Sequence, residues 1–264
     1  MPSHEEFMEM ALELAEGGFG RVAPNPLVGA VLFNDGRIVG TGFHEQFGGP
    51  HAEINAIKAA GDKARGATLY VNLEPCKHFG KTPPCTDAII KAGIKTVVYG
   101  TRDKHPAARG GVEVLASAGV AVEGPVLEAD CAALNAPFFK HIATGRPLVL
   151  AKWAMTLDGK MASSQGESRW ISSDASRKLV HQWRGRAGAV LAGIGTVLAD
   201  NPSLNCRLPE LPNPCKVILD AECRLPANAR LFEADAEKPG PVRVLVYTSE
   251  AAGAERCAPG GPRW

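Results

Sequence analysis

Three residues of the types that bind zinc stand in one stretch of the chain: His51 in His51-Ala52-Glu53, Cys76 after Pro75, and Cys85 after Pro84. A catalytic zinc takes three protein ligands and keeps its fourth position for water. One imidazole and two thiolates suit its borderline softness. The His51 triplet opens one expected helix, and the Pro75-Cys76 … Pro84-Cys85 segment opens the next. Helix N-termini favour thiolates, because the dipole lowers the thiol pKa. Glu53 sits two residues from a ligand without being one, which suits a group that carries protons between water, ring nitrogen and leaving amine. Together these form the H-x-E … P-C-x-x-C pattern of zinc deaminases, with Glu53 as the catalytic acid–base. A lone His or Cys at a helix start ordinarily packs or caps. A structural zinc site ordinarily shows four ligands, and no fourth stands nearby.

The pattern is stretched at one place. Cys76 and Cys85 are separated by the eight residues KHFGKTPP instead of two. The insertion places a loop beside the metal that carries His78 and Lys81, donors suited to a polar or phosphorylated substrate. The plainer alternative is that both are solvated loop residues.

The elements that must position these groups follow from spacing. Ser3 with Glu6 forms a capping box, and Phe7, Met10, Ala11 and Leu14 mark one face of a first helix, which Gly17-Gly18 ends. PNPLVGAVLF and RIVGTGFHE flank Asn34-Asp35-Gly36 and read as a hairpin. A helix from Pro50 to Ala60, a buried strand in ATLYVNLEP, a helix from Thr86 to Ala92 and a strand in KTVVYG come next. VEVLASAGVAVEG then supplies a short helix and a further strand. This order predicts an α/β domain of three layers, with helices packed on a central sheet. A helix followed by a linker spans Ala132 to Pro147, broken at Gly145-Arg146-Pro147. A second α/β pattern begins at PLVLAKWAM, with a helix from Ser173 to Arg186 and strands in AGAVLAGI, CKVILD and VRVLVYTS. Two domains are therefore expected, residues 1–145 and 146–264. The second shows no GxGxxG at a strand-to-helix turn, so a Rossmann site is not indicated. Gly193-Ile194-Gly195-Thr196 either lets backbone approach a cofactor or is an ordinary turn.

Bulk composition sets wide bounds. A chain of 264 residues, 45% hydrophobic and 22% charged, is that of an ordinary globular protein with room for two domains. A net charge of +1 offers no bulk attraction to nucleic acid or membranes. Seven scattered cysteines form no disulfide framework, which favours a reducing cytoplasm with thiols free for metal. The acidic start MPSHEEFMEM does not read as a signal peptide, and no run approaches the ~20 apolar residues of a membrane helix.

PNPLVGAV, GPHAEINAI, LEPCKHFGKTPPC, TLDGKMA, GESRWIS and LADNPSL together resemble the RibD family of bifunctional riboflavin-biosynthesis enzymes, over residues 3 to 225. The resemblance implies a cytidine-deaminase-like first domain. That domain would deaminate 2,5-diamino-6-ribosylamino-pyrimidinone 5′-phosphate, with zinc on His51, Cys76 and Cys85 and Glu53 as proton shuttle. It implies that Asn25, His78, Lys81 and Asp103 contact this phosphorylated pyrimidine. Two departures touch those contacts: DKHP stands where a DPNP-like stretch is usual, and Lys77 where Ser is usual. The second domain is similar to dihydrofolate reductase and would reduce the ribosyl group with NADPH. Ala154, Trp170, Thr196 and Asp200 would lie near the cofactor, and Ser168, Arg184, Leu204 and Arg207 near the substrate. Guanidinium groups there suit a phosphorylated ligand, which they grip through paired hydrogen bonds.

Family members continue beyond the equivalent of Trp264 and associate into dimers or tetramers. The reductase half is therefore expected to be incomplete and inactive here, as a fragment or through a frameshift ending in EAAGAERCAPGGPRW. An open sheet without its later strands would expose apolar edges. Two other functions compete: a zinc deaminase of a free cytosine nucleoside or a tRNA base, and a catalytically dead zinc-stabilised binding module. The long Cys76–Cys85 gap and the second domain weigh against the first, and an intact Glu53 weighs against the second.

Overall fold

Ser3 starts the first helix as expected: its hydroxyl accepts the Glu6 amide while the Glu6 carboxylate accepts the Ser3 amide, opening α1 (His4–Glu16). The computed structural model describes residues 2–80, 83–168, 170–238 and 240–250. The chain divides into two units between Leu150 and Ala151.

In the first unit, Asp35 and Gly36, both at positive φ, turn β1 (Gly29–Asn34) back onto β2 (Arg37–Phe43). The sheet is completed by β3 (Thr68–Leu73), β4 (Thr96–Thr101) and β5 (Ala121–Glu123), in the order β2-β1-β3-β4-β5. β1 is antiparallel to both neighbours, while β3, β4 and β5 run parallel. Between the parallel strands lie α3 (Cys85–Ala92) and α4 (Gly111–Ser117), and α2 (Ala52–Ala60) joins β2 towards β3.

Alternate side chains of each strand point to opposite faces. Ala30, Leu32, Leu69, Val71, Val97 and Tyr99 meet Ala52, Ala56, Ile89, Val112 and Leu115 from α2, α3 and α4. Their chain neighbours Val31, Tyr70 and Val98 face the other way, against Phe7, Met8 and Ala11 of α1. Three layers result, as the pattern of elements predicts. Gly29 lets α1 sit directly on β1, since a Cβ there would stand 2.0 Å from the Ala11 carbonyl oxygen.

The expected single helix beyond Ala132 is two, α5 (Glu128–Leu134) and α6 (Ala136–Thr144). Pro137 near the start of α6 cannot donate into a preceding turn, so the chain breaks at Asn135.

In the second unit, β6 (Ala189–Gly193), β7 (Cys215–Leu219) and β8 (Val244–Tyr247) form a parallel sheet in that order. Ser173 caps α7 (Asp174–Arg186) by accepting the Ser176 amide. The glycine stretch after β6 is not an ordinary turn; it opens α8 (Ile194–Asp200), with Gly193 as N-cap. Ile194, Val197, Leu204, Ile218 and Leu231 make the core. Leu191, Leu219, Leu245 and Tyr247 are exposed.

The second α/β pattern does not open with a regular element at PLVLAKWAM. Residues 147–156 carry no regular structure, and Val149 and Trp153 are exposed. A strand needs a ladder partner, and the β6-β7-β8 sheet pairs with no part of this stretch. Five described cysteines are free thiols, Cys76, Cys85, Cys131, Cys206 and Cys215. No helix among the described residues is long and apolar enough to cross a membrane.

Candidate metal centre and active-site pocket

The metal-binding residues come from three element ends. His51 is the N-cap residue of α2, still extended at φ −75°, and Cys85 is the first residue of α3. Cys76 departs from the expected helix start: it lies in the turn that leaves β3, tied down when its carbonyl accepts the Thr86 amide at 3.2 Å. His51 Nδ1 stands 3.2 Å from Cys85 Sγ and 3.6 Å from Cys76 Sγ. The Cys85 amide points at Cys76 Sγ from 3.5 Å. Neighbouring ligands on tetrahedral zinc, with bonds of about 2.0–2.3 Å, lie about 3.5 Å apart. All three donor atoms fall within 4.8 Å of one another, and among the described residues no other group of three His, Cys, Asp or Glu does so. The donor set fits zinc in number, type and spacing.

Charge at the cluster is arranged for a cation. Hydrogen bonding from Cys85 draws the Cys76 thiol down to about 4, while the bond to Cys76 and burial hold the Cys85 thiol well above its ordinary value. The bond to Cys76 raises His51. A metal that displaces these protons takes up ready-made ligands. Glu53, in the first turn of α2, is 3% exposed, and burial pushes its carboxyl up, opposed by His51.

These groups open onto a pocket of ≈220 Å³, lined among others by Asn25, His44, His51, Glu53, Cys76 and His78. Asp103 and His105 also line it. The structure thus brings together six of the sequence-derived residues: Asn25, His51, Glu53, Cys76, His78 and Asp103. Cys85 lies behind them, fully buried, and Lys81 lies outside the described residues. His78 stacks on His105 with ring centroids 6.2 Å apart, and its buried Nδ1 has no hydrogen-bond partner among the described residues. Asp103 is 8% exposed, its carboxyl is pushed up by burial, and Oδ1 accepts the His105 amide at 2.7 Å.

Asn25 reaches the pocket on a loop held by two buried amides. Asn72 accepts the Gly29 amide at 2.9 Å and donates to the Leu27 carbonyl at 3.0 Å. Asn135 accepts the Leu27 amide and donates to the same carbonyl, both at 2.8 Å. Asn72→Ala leaves the Gly29 amide unpaired in the core, and an unsatisfied buried group costs about 1–3 kcal/mol. Chemical denaturation should therefore show a loss of that size, with weaker substrate binding; an unchanged midpoint would contradict this role.

His44, Glu74, His105 and Phe138 line the pocket without having been singled out from sequence. His44 is 2% exposed. Its Nδ1 lies 2.9 Å from the Pro50 carbonyl oxygen, and its Nε2 lies 3.0 Å from Asn25 Nδ2. The carbonyl can only accept, so Nδ1 carries the hydrogen, Nε2 accepts, and the Asn25 amide is oriented with its nitrogen toward His44. No local spacing rule signals such a contact.

In the second unit, Arg184 of α7 is drawn below its ordinary value by burial and then by Arg207, while its Nη1 donates to the Asn205 carbonyl at 3.4 Å. The Arg207 amide donates to His181 Nδ1 at 3.3 Å. Leu204 is buried at φ 55° in the same loop. Arg184, Leu204 and Arg207 thus converge, with His181 as a member that sequence reading missed. Thr196 and Asp200 are exposed on α8. Ala154 and Ser168 are half-buried in the irregular stretch, and among the described residues no hydrogen bond joins either to α8. Trp170 is exposed, with the Arg177 guanidinium 4.2 Å above its ring.

Comparison with known proteins agrees with this geometry. Residues 1–101 match the family described as "Cytidine and deoxycytidylate deaminase zinc-binding region", and residues 147–256 match "RibD C-terminal domain". The chain is 49% identical to the Riboflavin biosynthesis protein RibD of Aquifex aeolicus over 88% of its own length and 65% of that relative's. It therefore spans less than two thirds of that protein. With the RibD of Mycobacterium tuberculosis it shares 42% identity over 89% of this chain and 70% of the relative. A solved structure from Thermotoga maritima, a diaminohydroxyphosphoribosylaminopyrimidine deaminase/5-amino-6-(5-phosphoribosylamino)uracil reductase, superposes with a TM-score of 0.86 at 52% identity. That superposition covers 94% of this chain and 70% of the other. By these matches across both units, the chain belongs to the RibD family.

Proposed function

We propose that residues 1–145 carry a zinc-dependent hydrolytic deaminase of riboflavin biosynthesis. It would convert 2,5-diamino-6-ribosylamino-4(3H)-pyrimidinone 5′-phosphate to 5-amino-6-(5-phosphoribosylamino)uracil. The observation that carries this reading is the buried Glu53 carboxyl beside a His51–Cys76–Cys85 cluster, at the floor of a pocket that also holds Asn25 and His78. When bound, zinc supplies a water acidified to near neutrality. Glu53 accepts the proton of the attacking water and delivers it to the ring nitrogen; it then takes the proton of the newly added hydroxyl and hands it to the departing amine, so that the C–N bond breaks, ammonia leaves and a carbonyl remains. Burial raises the Glu53 carboxyl, which makes it readier to hold a proton between the two transfers. Asn25, His78, Asp103 and Lys81 hold and orient the phosphorylated nucleotide.

Residues 146–264 belong in this reading to the NADPH-dependent reductase. Ala154, Trp170, Thr196 and Asp200 are assigned to the cofactor side, and Ser168, Arg184, Leu204 and Arg207 to the substrate side. Arg184 and Arg207 suit a phosphate, since two guanidinium groups held close together gain from an anion between them. The enzyme is read as cytoplasmic and homo-oligomeric, acting on a free nucleotide and not on nucleic acid. A substrate panel tests the assignment. Zinc-loaded protein should release ammonia from the diaminopyrimidine ribotide and not from cytidine, dCMP or tRNA; preference for any of the latter would replace this reading with the other deaminase class.

A further inference from the structure

Glu74 lies at the end of β3, two residues before Cys76, with its side chain 1% exposed. Its Oε2 accepts the Asp103 amide at 3.0 Å. Its Oε1 accepts the Gly110 amide at 2.9 Å, the Val112 amide at 3.2 Å and Arg102 Nη1 at 3.4 Å. A carboxylate offers about four acceptor sites. Four donors draw on them, three at Oε1 and one at Oε2, so most of what Glu74 can accept is spent inside the protein.

The stretch that Glu74 holds includes two residues of the pocket rim, Asp103 and His105. Among the described residues, the other hydrogen bonds of residues 103–109 close within the stretch itself. His105 N donates to Asp103 Oδ1, Ala107 N to His105 Nδ1, and Ala108 N and Arg109 N to the His105 carbonyl. The main chain of the loop is thus a self-bonded piece with both ends docked on one side chain, while its side chains make two further contacts, the His105 ring on His78 and Lys104 5.0 Å above the Phe139 ring. Its far end is pressed onto the same turn, since a Cβ on Gly111 would stand 1.8 Å from the Pro75 carbonyl oxygen. The sheet needs none of this, because Leu73 and Thr101 already pair in the β3–β4 ladder and the core beneath is apolar.

We infer that Glu74 is a positioning residue that sets the Asp103–His105 rim at a fixed place against the metal cluster. Substrate binding depends on it, whereas metal retention and proton transfer do not. The inference rests on the deaminase reading for its catalytic consequence, and on geometry alone for its structural one.

Glu74→Gln tests both. Glutamine keeps one acceptor oxygen and turns an amide N–H2 towards a position now filled by a donor, so one end of the rim must come free. KM for the diaminopyrimidine ribotide should rise about tenfold or more, the size of one charge-assisted hydrogen bond, with kcat changed less than about threefold and zinc still at one per chain. Amide exchange at Asp103, Gly110 or Val112 should speed up about tenfold or more, while β3 and β4 stay protected. An unchanged KM, a fall in kcat alone, or loss of zinc would overturn the inference. So would loss of protection across the whole sheet, since Glu74 would then be holding the fold instead of the rim. If the parent itself releases no ammonia, the deaminase reading fails by itself. The amides then decide the inference: selective release upholds it, and unchanged exchange overturns it.

Discussion

Glu53→Gln should cut ammonia release by about 10²–10⁴-fold, the usual contribution of a positioned general acid–base, with one zinc per chain retained. The substitution keeps size, shape and burial, so the first turn of α2 and the His51 cap need not move. What it removes is the exchangeable proton. The native carboxyl is 3% exposed and stands beside the donors of the metal cluster, so no bulk water can stand in for it efficiently. Zinc content should not fall, because Glu53 is not part of the group whose donor atoms lie within 4.8 Å. The check is single-turnover ammonia release beside metal analysis of the same sample. Activity within tenfold of the parent would remove Glu53 from the proton path. Loss of zinc would make it a ligand or a support for one.

Cys85→Ser should have the second large effect, and on a different observable. Serine is close in size but is not deprotonated near pH 7, so the site loses one of three anionic or neutral nitrogen–sulfur donors. Cys85 is fully buried at the first position of α3 and lies 3.2 Å from His51 Nδ1, which leaves no room for a replacement ligand to reach in. After dialysis the variant should hold less than a tenth of a zinc per chain. A ligand that binds only the folded state stabilises it by about 4 kcal/mol at a thousandfold excess over its Kd. Added zinc should therefore raise the parent's melting temperature by about 10 °C and leave the variant's almost unmoved. Equal shifts would show that zinc binds elsewhere.

The parts of the site legible in the sequence are those set by local signals. His51 and Cys85 stand at helix starts that the apolar spacing and the prolines announce, and Glu53 follows from its offset to His51. The hairpin is written in Asn34-Asp35-Gly36, and the layered sheet in the two-residue alternation of β1, β3 and β4. What was not legible depends on partners far along the chain. Glu74 meets donors 28 to 38 residues away, and His44 meets Asn25 across 19. Both look like ordinary polar residues until the fold closes. Asn135 breaks a helix that periodicity alone would have continued, and its side chain is spent on Leu27, 108 residues earlier. PLVLAKWAM has the composition of a strand, but β structure exists only where a partner offers its ladder.

In the function proposed, His51, Cys76 and Cys85 hold a zinc that Glu53 uses to deaminate a phosphorylated diaminopyrimidine. The most direct measurement is ammonia release from the diaminopyrimidine ribotide by one preparation, stripped of metal and then reloaded with one zinc per chain. Release is expected only from the reloaded sample, with the uracil nucleotide formed in equal amount. Release that survives stripping, or none at all with zinc confirmed at one per chain, would contradict it.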